Sequence, residues 1–281
     1  MKQRYRVGHT GITWPGAPLD QIVRDVAELG YEGYETFGQT IEGYPGGAAA
    51  VKNVLDRYDI PMAGVYCPAA FIDPATTEDD ITKVMRWAGL LRQLGGKAVV
   101  LGASRRRPEG YTREEYRGMA RTIEEIGRRC LDLDMFAALH PHTGTPIETE
   151  AEIDLIMEET DPRLVFFAPD TGQIQKGGGD PVAVIRRYAG RVRHMHVKDY
   201  GGGPVQQDAE GKEIDPTGYV GYVPVGSGVV DFAGITRVLD EASYDGWLMV
   251  ELDGTPRAPR PPREAAAMSK RGMDTLLAGR G

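Results

Sequence analysis

Cysteine is almost absent from this chain: Cys67 and Cys130 are the only two in 281 residues. That is too few, and too isolated, for a disulfide framework or a thiolate metal site. No segment reaches the roughly 20 apolar residues that a membrane helix requires. The first residues carry basic side chains but pass directly into a strand-like stretch, with no apolar core or small-residue cleavage site of a secretory leader. Residence in a reducing cytoplasm is therefore expected. Positive charge is also in deficit, with Lys and Arg numbering 33 against 41 Asp and Glu, for a net charge of -8. Such a balance repels nucleic-acid backbones and anionic membranes, so neither is expected as a partner. The glycine run Gly177–Gly179 comes without a dinucleotide or P-loop fingerprint and reads as a loop requirement.

What is present points to a single α/β barrel over residues 1–281. The length suits one closed barrel of about 250 residues, and 41% hydrophobic with 26% charged residues suffices for a large core and a soluble surface. Short β-branched or aromatic runs alternate with stretches of helical period, which is the pattern of repeated βα units. Eight such runs occur, centred near Val7, Glu35, Val65, Val100, Leu139, Phe167, Met195 and Val250. Between them, Thr112 with Glu115 and Thr149 with Glu152 have capping-box spacing, and Asp180–Pro181 and Asp231 read as helix starts. Eight strand–helix pairs favour a closed (β/α)8 barrel over an open sheet. The longest irregular stretch, about 200–230, follows the seventh strand and so falls on the catalytic face.

All five histidines, His9, His140, His142, His194 and His196, fall at the expected C-terminal ends of strands one, five and seven. In a barrel those ends share one mouth, where active sites lie. Residues two apart share a strand face, so His194, His196 and Lys198 point one way and the apolar Met195 and Val197 the other. Glu35, Glu148, Asp170 and Glu251 arrive at the same mouth. Gathering carboxylates and imidazoles there costs several kcal/mol in desolvation unless a cation compensates. One divalent metal ion is therefore expected. The donor types admit Mn²⁺, Mg²⁺, Fe²⁺, Co²⁺ or Zn²⁺; no spacing chooses among them, and Mn²⁺ is taken first.

At these residues the chain resembles the xylose-isomerase-like barrels, the sugar phosphate isomerase and epimerase group, and within it the inosose dehydratase branch. The resemblance rests on HPHTGTPIET at His140, PDTGQIQKGGGDP at Asp170, RHMHVKD at His194, PVGSGVVDF at Val225 and YDGWLMVELD at Glu251. It implies a metal held by Glu, Asp, His and Glu. Asp170, His196 and Glu251 fill three of these places. The fourth place, at the end of strand five, holds His140; Glu148, eight positions on, is the favoured alternative because it restores the usual set. Gln173 stands where the family commonly has a histidine, and is grouped with the substrate-binding positions.

The implied chemistry is proton abstraction beside a carbonyl of a keto-sugar or keto-cyclitol, with the metal stabilising the enediolate. His142 and His140 are the candidate bases, and Lys198 a candidate catalytic cation. His9, Trp14, Glu35 and His194 are candidates for the substrate wall. Elimination is the expected outcome, with isomerisation or epimerisation as the alternative. A metal-dependent phosphodiesterase, sharing the barrel, is disfavoured by the acidic charge. The resemblance further implies a homo-oligomer, and a partner subunit remains compatible with it.

Overall fold

The computed structural model describes residues 5–209 and 213–278; residues 210–212, within the expected long loop, lie outside the described residues. Eight parallel strands form one sheet: β1 (Arg6–Thr10), β2 (Tyr34–Phe37), β3 (Met62–Ala69), β4 (Ala98–Ala103), β5 (Phe136–His140), β6 (Val165–Phe167), β7 (His194–Val197) and β10 (Trp247–Val250). Their order is β6-β5-β4-β3-β2-β1-β10-β7. The remaining gap between β6 and β7 is spanned by backbone hydrogen bonds from Arg193 N to Phe167 O (3.1 Å) and from His196 N to Pro169 O (2.9 Å). The expected barrel is thus confirmed, closed at its weakest seam just where the candidate ligands Asp170 and His196 pair as a parallel bridge.

Helices wrap the sheet because one stripe of each is apolar. Helix α1 (Leu19–Glu28) buries Leu19, Ile22, Val23 and Val26 at helical spacing. The expected caps form. Thr112 begins α5 (Arg113–Leu131) and Thr149 begins α6 (Glu150–Glu159), each with a reciprocal capping box to the glutamate three residues on. Asp180 accepts from the amides of Val182 and Ala183 at the start of α8 (Pro181–Arg187), and Asp231 from Gly234 at the start of α9 (Phe232–Glu241). The remaining helices are α2 (Gly38–Glu42), α3 (Gly47–Arg57), α4 (Thr77–Gln93), α7 (Thr171–Lys176) and α10 (Pro262–Ala278). No helix among the described residues is long and apolar enough to cross a membrane.

The long loop after β7 carries a two-stranded antiparallel ribbon, β8 (Asp199–Tyr200) with β9 (Tyr222–Val223). Asp199 holds its return path: its carboxylate accepts from the amides of Gly226, Gly228 and Val230 at 2.8–3.2 Å. That use of Asp199 leaves Lys198 to other partners. The ribbon brings Tyr222 over the barrel mouth.

Candidate active site

The barrel mouth is organised by strand alternation. His194 and His196 on β7, with Lys198 just beyond it, are all essentially inaccessible to solvent. Glu35, at the middle of β2, receives both imidazoles: His194 Nε2 lies 2.6 Å from Oε2 and His196 Nε2 2.8 Å from Oε1. Burial works to raise the Glu35 carboxyl, but His196 and His194 outweigh it and hold its pKa at about 2. Glu35 is therefore an anion whose two oxygens are spent orienting imidazoles. It borders the cleft.

With Nε2 directed to Glu35, His196 presents Nδ1 to Glu251 Oε2 at 2.9 Å, with no hydrogen-bonding alignment. On the other side stands Asp170, the N-cap of α7. Its Oδ1 accepts from Gln173 N at 2.9 Å, while Oδ2 is buried without a hydrogen bond. His140, ending β5, places Nε2 4.0 Å from that Oδ2. Candidate donor atoms of His140, Asp170 and His196 all lie within 4.8 Å of one another. Burial and the neighbouring His196 push the His140 imidazole well below its ordinary pKa, so the ring is neutral and one of its nitrogens keeps a lone pair.

This arrangement fits a divalent cation. Asp170 Oδ2 and His196 Nδ1 are buried polar atoms without an aligned hydrogen bond, faced only by ion-pair partners, Lys198 at 3.5 Å and Glu251 at 2.9 Å respectively. Leaving them so costs several kcal/mol. An imidazole whose far nitrogen donates to a carboxylate is also the usual support of a metal-binding histidine.

Glu148 is placed elsewhere, which corrects its expected position. The His142–Ile147 loop closes tightly, with His142 N donating to Ile147 O, and delivers Glu148 to the start of α6. There its Oε2 accepts from Gly144 N at 2.8 Å and faces Arg106 at 3.8 Å, with the side chain 28% exposed. Of the two alternatives for the fourth position, only His140 is near Asp170 and His196.

His9 and Trp14 are likewise turned away from the cleft. His9 is fully buried, contacts Trp14 and Tyr31 edge-on at 4.9 and 4.8 Å, and has its Nδ1 2.8 Å from Thr10 O. Burial lowers its pKa to about 4, so it is a neutral core residue. Trp14 donates to Asp25 at 3.1 Å and packs behind the first loop. The wall these two were expected to form is made instead by Thr10, Gly11 and Ile12. His194 lies beneath the cleft, held by Glu35. Gln173 is buried, and its Oε1 accepts from the amide and hydroxyl of Thr143 at 3.0 and 2.8 Å, which pins the HPHTGT loop.

His142 does border the cleft. Its Nδ1 lies 2.7 Å from Thr143 O, so Nδ1 is the donor, and in the neutral ring the lone pair is on Nε2. Tyr66, absent from the sequence reading, forms the opposite wall with Phe37, and its ring meets His140 edge-on at 5.3 Å. The signal for it was available in period two: Gly64 and Tyr66 share a face of β3. Gly102 on β4 makes room for that ring, since a Cβ there would overlap the Tyr66 phenol.

Lys198 is fully buried behind this wall. Its Nζ is 2.5 Å from Glu251 Oε1, 2.9 Å from Asp253 Oδ2 and 3.5 Å from Asp170 Oδ2, and sits 4.6 Å from the centre of the Tyr222 ring. Asp253 and Tyr222 were not anticipated, because both come from loops whose path only the fold determines.

The fold and this mouth define a xylose isomerase-like TIM barrel, and the family's model matches residues 23–274: the chain belongs to that family. It is 32% identical to the inosose dehydratase of Geobacillus kaustophilus, an alignment covering 97% of this chain and 95% of that one. Among solved structures, the IOLI protein with a binding zinc atom superposes with a TM-score of 0.77 at 14% identity, covering 98% of each chain. A D-allulose 3-epimerase from Methylomonas sp. in complex with D-allulose superposes with a TM-score of 0.77 at 16% identity, again over 98% of both.

Proposed function

We propose that this protein is a divalent-metal-dependent lyase that eliminates water, or another β-leaving group, from a keto-cyclitol or keto-sugar. The observation that carries this reading is His196, fixed through Nε2 by Glu35, with its Nδ1 making no aligned hydrogen bond beside the carboxylates of Glu251 and Asp170. The similarity to an inosose dehydratase over nearly the whole chain supports the substrate class.

Asp170, His196, Glu251 and His140 would hold the cation. Bound there, a divalent metal supplies Lewis-acid polarisation of a substrate carbonyl and its neighbouring hydroxyl. Mixed carboxylate and imidazole donors suit Mn²⁺, which is the first metal to test. The chain's own residues do the rest. Thr10, Gly11, Tyr66 and Phe37 enclose the ring of the substrate. His142 Nε2 takes the carbon-bound proton, and its Nδ1–H bond to Thr143 O keeps the ring in the basic tautomer. The same proton then leaves with the departing β-hydroxyl as water, so the step is balanced without an oxidant. A cytoplasmic homo-oligomer is the form we propose for it.

A screen settles the reaction class. Purified protein stripped with chelator and reloaded with Mn²⁺, Mg²⁺, Co²⁺, Fe²⁺ or Zn²⁺ is given keto-inositols, 3-keto sugars and free ketoses. Appearance of ultraviolet absorbance from an unsaturated ketone supports elimination. Solvent deuterium incorporated into recovered sugar without that absorbance assigns isomerisation or epimerisation instead.

A further inference from the structure

The buried Lys198 ammonium occupies the space between two of the carboxylates just assigned to the metal. It is 2.5 Å from Glu251 and 3.5 Å from Asp170, and on its other side 2.9 Å from Asp253. The three carboxylates are not equivalent. Asp170 and Glu251 belong to the candidate metal centre, whereas Asp253 lies two residues beyond it, 16% exposed, on the loop leaving β10.

The stem of Lys198 is built into the fold. Its backbone N–H donates to Thr171 Oγ1 at 3.0 Å, and Thr171 Oγ1 donates to Lys198 O at 2.6 Å. Gly172 lies so close that a Cβ there would sit 2.7 Å from Lys198 Cγ and 2.9 Å from its Cβ. The stem is thus packed into the fold. Its Nζ already contacts Asp253 and the face of Tyr222, which together offer a seat for the cation outside the centre.

Two cations drawn to Glu251 and Asp170 repel each other strongly in a low-dielectric mouth. We infer that Lys198 is an internal placeholder cation, which contacts Glu251 and Asp170 as well as Asp253 and Tyr222 while no metal is bound, and which the incoming divalent metal displaces from the first two so that only Asp253 and Tyr222 hold it. The inference rests on the metal-centre reading above. It adds that the centre is regulated by competition: the chain carries its own occupant, which keeps the empty site folded and weakens metal affinity.

The test is calorimetric titration of chelator-stripped protein with MnCl₂ alone. Removing the placeholder by Lys198→Gln should tighten Mn²⁺ binding by about tenfold or more, within the range of about 5–150-fold common for two ligands that oppose each other. Removing its second seat by Asp253→Asn should weaken Mn²⁺ binding by about fivefold in the parent, yet change it by less than about twofold in the Lys198→Gln background. Equal or weaker Mn²⁺ affinity in Lys198→Gln overturns the inference and leaves the metal centre standing. If Lys198→Gln does not fold, Asp253→Asn decides, and unchanged or tighter binding there overturns it. A parent protein that takes up no Mn²⁺ overturns the metal reading itself, and the placeholder with it.

Discussion

His196 Nδ1 stands 2.9 Å from Glu251 Oε2, a nitrogen and a carboxylate facing each other with no aligned hydrogen bond between them. The other ring nitrogen is committed to Glu35, so without a metal the pair is satisfied only by an imidazolium. Burial opposes that charge, but Glu35 and Glu251 together raise the His196 pKa well above its ordinary value. A metal at this point must displace that proton.

Removing either partner should therefore remove the metal. His196→Ala and Glu251→Gln are expected to lose bound Mn²⁺ and turnover together, measured by elemental analysis alongside the activity assay. A chelator should do the same to the unmodified protein, and added Mn²⁺ should restore it. Binding of Mn²⁺ near pH 7 should release about one proton, read by titration in buffers of different ionisation enthalpy. Retention of metal by His196→Ala would count against the proposed centre.

Much of this was legible beforehand, and the reason is periodicity. Strand alternation alone put His194, His196 and Lys198 on one face, and all three are buried toward the mouth. The capping boxes at Thr112 and Thr149 were equally local signals. What was misplaced depended on the course of a loop or on which face of a strand a residue takes. Glu148 has a suitable side chain for a ligand, but the tight turn after His142 carries it to α6 and Arg106. His9 has the right residue type at a strand end, yet odd–even placement on β1 sends it outward against Trp14 and Tyr31, while Thr10 lines the cleft. Tyr222 and Asp253 reach Lys198 through contacts more than 20 residues distant, beyond what local pattern encodes.

Glu35 should control both the metal and acid stability. In Glu35→Gln the two imidazoles lose their anionic anchor, and Mn²⁺ affinity is expected to fall about 10- to 100-fold, as for other carboxylates behind metal-binding histidines. The sign of the pH effect follows from its pKa of about 2, depressed from 4.5. The stabilisation is present above pH 4.5 and lost as pH falls toward 2, and amounts to about 3 kcal/mol. Urea denaturation of metal-free protein between pH 5 and 2.5 should show this slope in the parent and a shallower one in Glu35→Gln.

The base is separable from the metal. His142 contacts the cleft, and its Nδ1 is tied to Thr143 O rather than to any of the four proposed ligands. His142→Ala is accordingly expected to keep its full metal content while kcat falls about 10²- to 10⁴-fold, the usual span for loss of a general base. Single-turnover rates and elemental analysis on the same sample check both halves. Unchanged turnover would move the base to another residue.

Gly102 tests whether the Tyr66 wall is positioned or merely present. On β4 it faces the ring directly, and a Cβ there would overlap the phenol oxygen and its carbon. Because β4 is buried on both faces, the strand has little freedom to yield, and the ring must move instead. Gly102→Ala should cost about 1–3 kcal/mol, typical of overpacking a dense core, and should raise KM for the substrate found in the screen. Tyr66→Ala removes the group that is struck, so the two changes should be non-additive, with Gly102→Ala adding little in that background. Thermal denaturation of the four-member cycle measures this coupling. An additive result would mean that Gly102 is required by the strand itself and not by the tyrosine facing it.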